Sequence, residues 1–119
     1  MTETIGWLPE PEEHNYPAAL SYLELLLPSE KAAGLVEKLR AASVAQFKAK
    51  DIFRASGLSL LGVSNWHVEK DRKKIASRKK LSPILLVRGD DRVIIADGYH
   101  RLCAVYSIDE DALIPCKIV

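Results

Sequence analysis

A short polar stretch beside an apolar segment carries the residues best suited to chemistry. The apolar residues 94–96 predict a buried strand, followed by a sharp turn at Asp97 and Gly98. A helix opening with His100 and Arg101 comes next. Unpaired N–H groups and the helix dipole make a helix N-terminus attractive to anions. We therefore predict a phosphate site here, in which the Arg101 guanidinium can hold two phosphate oxygens.

His100 and Arg101 also have a simpler interpretation, as members of a solvated first helical turn. Cations at that position oppose the helix dipole, and a purely structural helix start would favour acidic residues. This mismatch favours a functional role for both side chains. Gly98 suits a turn that requires positive φ, and it lets a ligand approach the backbone. Asp97 is predicted to cap the helix or, alternatively, to bind a metal beside the phosphate.

A basic run precedes this turn in the chain. Residues 69–80 hold seven Lys or Arg residues against two acids. A helix predicted over about 66–77 places His67, Lys70 and Lys74 on one face, because residues three and four apart are neighbours on a helix. A solvated helix face is the simpler explanation of the run, and a surface for nucleic acid is the alternative.

Length and composition predict a single soluble domain, residues 1–119, with one core. The formal net charge is +1, so overall charge favours no class of partner. Charge is unevenly distributed, because residues 1–30 contain six acids and no Lys or Arg. The acidic end is therefore expected to pack near or screen the basic run 69–80, within one chain or between the chains of a homodimer.

Both cysteines, Cys103 and Cys116, lie in apolar surroundings, and no zinc-type Cys/His spacing occurs. We predict that they are buried and reduced, as in a cytoplasmic protein. Residues 1–4 lack the basic and apolar regions of a signal peptide. The apolar run 20–27 is interrupted and too short to cross a bilayer, so no membrane partner is expected.

The N-terminal third predicts helices without strands. Prolines among acids in residues 1–16 predict an extended acidic arm, and residues 17–43 predict a helical hairpin. Pro17 suits the first turn of the first helix. Pro28 is expected to end that helix, and Ser29 to cap the second.

The remainder, residues 44–119, predicts an α+β core. Its expected elements are a strand (44–49), a helix (51–57), a loop (58–64), a second helix (66–77), a β-hairpin (84–96), a third helix (99–106) and a last strand (114–119). Gly57 and either Ser64 or Asn65 supply the helix boundary signals. Pro115 favours an edge position or the first residues of its strand. The predicted fold class is a small mixed β-sheet with packed helices, to which the helical hairpin adds a layer.

Three pieces of the chain, in this order, resemble the ParB/sulfiredoxin-like superfamily over about residues 65–119. They are the Pro-Ile strand in 81–87, the Gly-x-His-Arg turn and helix in 97–104, and the closing Ile-Pro strand in 114–119. The resemblance implies a small α+β domain whose Gly98 turn binds nucleotide phosphates. It also implies that the helix before the strand faces this turn, so that Lys70 and Lys74 complete a phosphate cradle.

The resemblance implies several activities, because members of this superfamily act as nucleotide switches, phosphoryl-transfer enzymes, amino-acid kinases or proteins described as nucleases. Sulfiredoxins place a cysteine directly before the His-Arg pair, where this chain has Tyr99. Thiol-based repair chemistry is therefore not expected here. ParB proteins usually have two arginines where this chain has His100 and Arg101.

The leading functional hypothesis is a nucleotide- or phosphate-binding module, whose ligand is held by Gly98, His100, Arg101, Lys70 and Lys74. The first alternative is a small phosphotransferase or phosphodiesterase that uses the same cradle with Mg²⁺ and an acid such as Asp97. The second is a non-catalytic interaction protein, associated with nucleic acid through residues 69–80 or joined into a dimer. The cofactor, a nucleotide with Mg²⁺, follows from the first two hypotheses only.

Overall fold

The described part of the chain, residues 5–59 and 65–119 of a computed structural model, alternates helices with short strands. The elements are α1 (Asn15–Leu26), α2 (Ser29–Ala41), β1 (Ala45–Lys48), α3 (Ala49–Ser56), α4 (Trp66–Ala76), β2 (Ile84–Arg88), β3 (Val93–Asp97), α5 (Tyr99–Ile108) and β4 (Leu113–Ile118). The predicted α+β class is confirmed. None of the helices in these residues combines the length and apolar character that crossing a bilayer requires.

The four strands form one mixed sheet in the order β1-β4-β2-β3. β4 pairs antiparallel with β1 and parallel with β2, whereas β2 and β3 form an antiparallel hairpin. The last strand is therefore an inner one, so of the two positions suggested for Pro115 the edge is wrong and the first residues of the strand are right. Pro115 is tolerated because the pairing with β2 begins only at Cys116, opposite Ile84. Its missing N–H thus interrupts no ladder on that side.

The sheet separates two helical layers. On β2, Ile84 and Leu86 pack against the α3, α4 and α5 side, whereas Leu85 and Val87 pack against α1 and α2. Successive side chains of a strand point to opposite faces, so a strand covered on both faces must be apolar at every position. This explains the continuous apolar run 84–87, which a half-exposed strand would not show.

The helical hairpin is present, with two shifts from the predicted boundaries. α1 begins at Asn15, so the last two residues of the predicted arm 1–16 are helical, and Pro17 lies in the first turn as expected. Ser29 is the first residue of α2 and makes no side-chain cap, because Pro28 holds the cap position with extended backbone. The predicted capping role of Ser29 is therefore wrong.

The local boundary signals of the core are confirmed. Gly57 ends α3 with φ 67°, and the Asn65 side chain caps α4 by accepting N–H bonds from His67 and Val68 at 3.0 and 3.3 Å. Ser64, the alternative cap, and most of the predicted loop 58–64 lie outside the described residues. The β-hairpin turn closes with Gly89 N–H donating to the Arg92 carbonyl at 2.8 Å.

The two cysteines lie in the core on the α3, α4 and α5 side of the sheet. Cys103 and Cys116 are both buried, and no disulfide joins them. Burial raises the pKa of the Cys116 thiol to about 11. The predicted buried, reduced state therefore agrees with the structure.

Candidate functional site

The turn before α5 is built around a glycine that no other residue can replace without strain. Gly98 has φ 109° and ψ 14° and occupies the N-cap position of α5. A Cβ at this position would overlap Ile84 Cγ2 and would lie 2.7 Å from Ile84 Cβ. The predicted positive φ is confirmed, and close packing on β2 adds a second reason for glycine.

Asp97 does not cap the helix, so that prediction is wrong. With Gly98 inserted between strand and helix, Asp97 is the last residue of β3, one position too early to cap α5. Its Oδ2 instead accepts a hydrogen bond from Nη2 of Arg101 at 3.0 Å, one helical turn ahead. The carboxylate thus orients the guanidinium, and α5 begins without a side-chain cap or an acidic residue in its first turn.

Arg101 has a buried side-chain nitrogen that finds no partner among the described residues. Its side chain is 16% exposed, and Nη2 donates to Asp97 and, at 3.4 Å, to the Pro83 carbonyl. Its Nε is buried and has no hydrogen-bond partner among the described residues. An unsatisfied buried donor costs free energy, and such groups occur where a ligand or ion completes the site.

Helix α4 faces this turn and closes a pocket of about 190 Å³. The residues predicted to bind phosphate all line it, together with Asp97: Lys70, Lys74, Gly98, His100 and Arg101. Residues separated by up to 31 positions in the chain therefore meet at the N-terminus of α5. The helix-to-turn juxtaposition implied by the superfamily resemblance is present in the structure.

Asp71 also lines the pocket, which the sequence analysis does not predict. In the sequence it is only one of the two acids within the basic run 69–80. It is 9% exposed and lines the same pocket. Burial raises the pKa of Asp71, although the cations on Arg101 and Lys74 oppose that shift. The available signal was spacing, since position 71 lies three after buried Val68 and four before buried Ile75.

Two histidines meet at the pocket, one from each helix. The rings of His67 and His100 lie with their centroids 4.7 Å apart. Burial, and then the neighbouring His67, lowers the pKa of His100, although Asp71 opposes this. His100 therefore binds a proton less readily than a solvated histidine. An anion bound in the pocket would raise the pKa of His100 again, because it stabilises the protonated ring.

The charges around the pocket do not balance. Lys70, Lys74 and Arg101 face the carboxylates of Asp71 and Asp97, which leaves one net positive charge when both histidines are neutral. Protonation of the two imidazoles would add to it. The pocket is consequently electrostatically suited to an anion, and its size is that of a small group rather than of a whole nucleotide.

The alternative prediction for Asp97 is that it binds a metal ion. No group of three or more His, Cys, Asp or Glu residues suited to a metal ion occurs within residues 5–59 and 65–119. One oxygen of the Asp97 carboxylate already accepts from Arg101. The involvement of Mg²⁺ with a bound nucleotide stays a prediction.

Within the described residues, the acidic arm packs against the end of the basic run, as predicted. Gly6 and Leu8 exchange backbone hydrogen bonds with Leu81, at 2.9 and 2.8 Å. The described ion pairs of the arm lead elsewhere, from Glu10 to Lys117 at 3.2 Å and from Glu13 to Arg40 at 2.6 Å. Screening of residues 69–80 by these two acids is therefore not what the structure shows.

Comparison with known proteins yields no relative. No protein-family model matches the chain, and no curated protein or solved structure matches it. The likeness to ParB/sulfiredoxin-like proteins consequently depends on the residues of the strand, turn and closing strand alone. It stays a prediction, and the function has to be inferred from the geometry of the site.

Proposed function

We propose that the pocket between α4 and α5 binds the phosphate group of a nucleotide or of another phosphate ester, in a domain of ParB/sulfiredoxin-like type. The observation that carries this proposal is the convergence of Lys70 and Lys74 on the uncapped N-terminus of α5, beside Arg101. A helix N-terminus and converging cations are the two features that proteins combine to bind phosphate.

Each group has a distinct role in this proposal. The N–H groups at the start of α5 donate to phosphate oxygens, as the helix dipole favours. Arg101 supplies a guanidinium that Asp97 holds in place, which lowers the entropy lost on binding. Lys70 and Lys74 add charge from α4, and the protonated His100 ring donates a hydrogen bond to a phosphate oxygen.

Calorimetric titration of the full chain with inorganic phosphate, pyrophosphate and nucleoside triphosphates, each with and without Mg²⁺, tests the proposal. A ligand at a hundred times its dissociation constant should also stabilise the fold by about 2.7 kcal/mol in a thermal shift assay. Lys74→Ala should weaken binding roughly tenfold or more. Lys38→Ala, which removes an exposed lysine from α2, is the matched control and should bind as the wild type does.

Arg101 variants sharpen the result. Arg101→Lys keeps a cation but loses the planar fork, so phosphate affinity should fall. Arg101→Ala also removes the ion pair with Asp97, and it should lower both affinity and stability. The proposal is wrong if none of these anions binds the wild type, or if Lys74→Ala and Lys38→Ala bind equally well.

A second candidate function, phosphoryl transfer or phosphodiester hydrolysis, is favoured by Asp71. A buried carboxylate with a raised pKa is a stronger base than a solvated one, and it lies in the same pocket as the cations. Asp71→Asn separates the two functions. A binding module should bind phosphate more tightly in this variant and have no turnover to lose, whereas an enzyme that uses Asp71 as its base should bind substrate and lose turnover.

A further inference from the structure

A second concavity adjoins the phosphate pocket on the outer side of α4. This groove, of about 400 Å³, is called here the Trp66 groove, and its main lining residues are Trp66, Glu69, Lys70, Lys73, Lys74 and Lys79. Lys70 and Lys74 line both the groove and the pocket. A ligand anchored by a phosphate in the pocket can therefore continue over these two lysines into the groove.

Trp66, at the start of α4, is 67% exposed, which is the largest exposure of any Phe, Tyr or Trp side chain among the described residues. Its ring is also the end of an aromatic row. Trp66 and His67 lie 4.9 Å apart between ring centroids, His67 and His100 4.7 Å, and His100 and Tyr99 5.6 Å. The row runs from the exposed groove to the N-terminus of α5, where the phosphate pocket lies.

The charge of the groove is strongly positive. Its four lysines face a single acid, Glu69. Lys70 Nζ lies 5.3 Å from the centroid of the Trp66 ring, so one cation already sits beside the exposed aromatic surface. Aromatic rings flanked by lysines are the combination with which proteins hold unpaired bases and the phosphates between them.

We propose that the Trp66 groove and the phosphate pocket together bind a single-stranded nucleic acid. One phosphate occupies the pocket, a base stacks on Trp66, and further phosphates lie against Lys73 and Lys79. This inference rests on the proposed phosphate site and names the class of its ligand. A solvated helix face explains the charge of residues 69–80, but it does not explain an exposed tryptophan that continues an aromatic row.

A strand fits better than the alternatives. A mononucleotide with its phosphates in the pocket would leave Lys73 and Lys79 without a phosphate, whereas a strand supplies one for each. A duplex keeps its bases stacked on each other, so it offers no base face to Trp66.

The test uses the full chain and a short oligothymidylate that carries a 5′-phosphate and a 3′-fluorophore, measured by fluorescence anisotropy. Unlabelled strand, thymidine monophosphate and inorganic phosphate are the competitors. We expect the strand to compete at much lower concentration than the mononucleotide. Trp66→Ala should weaken strand binding about 5- to 150-fold, the loss associated with one stacked base. Trp66→Phe keeps a ring and should retain most of the affinity.

Matched variants on the opposite side of the molecule control for charge and aromatic content. Tyr22→Ala removes an exposed ring from α1, and Lys31→Ala removes an exposed lysine from α2. Neither should change strand binding. Lys73→Ala and Lys79→Ala should each lower the slope of log affinity against log salt by about 0.7, as expected for one lost contact to a single-strand phosphate.

The outcomes separate this inference from the phosphate site on which it rests. If inorganic phosphate binds and Lys74→Ala weakens it, but the strand competes no better than the mononucleotide or Trp66→Ala binds as the wild type does, the strand inference is wrong and the phosphate site stands. If the strand binds through Trp66, yet neither its 5′-phosphate nor Lys74 contributes, the pocket is wrong and so is the continuous path proposed here. Tighter binding to duplex than to single strand would also overturn the inference.

Discussion

Two buried cations lie on opposite sides of the sheet, and their surroundings differ. Lys117 of β4, whose side chain is 3% exposed, donates to the Arg40 carbonyl at 2.9 Å, pairs with Glu10 at 3.2 Å and lies 5.7 Å from the Tyr16 ring centroid. Burial tends to lower the pKa of Lys117, but its interactions with Tyr16 and Glu10 raise it overall. This cation belongs to a closed network that joins β4 to the arm and the helical hairpin.

Arg101 has partners too, but its network is open. Asp97 and the Pro83 carbonyl hold one end of the guanidinium, while Nε has no partner among the described residues. Across the pocket, α4 contributes two lysines, Lys70 and Lys74, against one acid, Asp71. The comparison teaches that burial of a cation does not by itself indicate a site. An excess of positive charge and an unsatisfied donor distinguish a ligand site from a purely structural ion-pair network.

The largest effect on stability is expected at Gly98, the turn residue beside Asp97 and Arg101. Gly98→Ala forces a side chain into positive φ and against Ile84, and it should destabilise the fold by roughly 2–5 kcal/mol. Gly34→Ala in α2 is the matched control, because a Cβ there meets nothing within 4 Å and should stabilise the fold by about 0.5–1 kcal/mol. Urea unfolding of both variants measures the difference. Equal stabilities would show that the tight turn described here is wrong.

Breaking the closed network should affect stability alone. Lys117→Met leaves the Arg40 carbonyl without its donor and Glu10 without its cation, so we expect a loss of about 1–3 kcal/mol. Phosphate affinity, measured by calorimetry at a temperature where the variant is folded, should be unchanged. A weaker phosphate affinity in this variant would mean that the two networks are not independent.

Removing a negative charge from the pocket should increase anion binding. Asp71→Asn is nearly isosteric and deletes a carboxylate that lines the pocket, so the affinity for inorganic phosphate should rise on the order of tenfold. Glu69→Gln, on the same helix but outside the pocket, should have a smaller effect. Unchanged or weaker binding by Asp71→Asn would contradict the electrostatic description of the pocket.

The smallest expected effect is a pH dependence that only the open network should show. The pKa of His100 is lowered by burial and by His67, and a bound dianion raises it. Anion binding is then coupled to proton uptake, so affinity increases as pH falls. Sulfate, which stays a dianion in this range, should bind several-fold more tightly at about pH 6 than at about pH 8.

The pH test has to distinguish His100 from the charged and titratable residues around it. His67, Lys70, Asp71 and Lys74 lie across from it on α4, and Arg101 follows it on α5. His67→Gln should still show the pH dependence, because His100 remains. His100→Asn should remove most of it. An identical pH profile in wild type and His100→Asn would exclude His100 as the coupled group.

Prediction from the sequence worked where the physical cause is local. The αL stop at Gly57 and the Asn65 cap each depend on the conformations and hydrogen bonds of a few neighbouring residues. It failed for Asp97 and Ser29, where the cap position shifted by one residue. Both caps are taken by a neighbour with restricted or unusual backbone, Gly98 or Pro28, which outweighs the hydrogen-bonding ability of the side chain.

The sequence by itself determined the α+β class, the buried strand 84–87 and the basic start of α5, because propensity and apolar patterning act over short stretches. Only the tertiary structure decided which charges meet. Asp71 and Arg101 lie 30 positions apart, as their numbers show, and Lys117 is 107 positions from Glu10. Those pairings depend on how helices pack across the sheet. The same residue types therefore form an open pocket on one side and the closed network of Lys117 on the other.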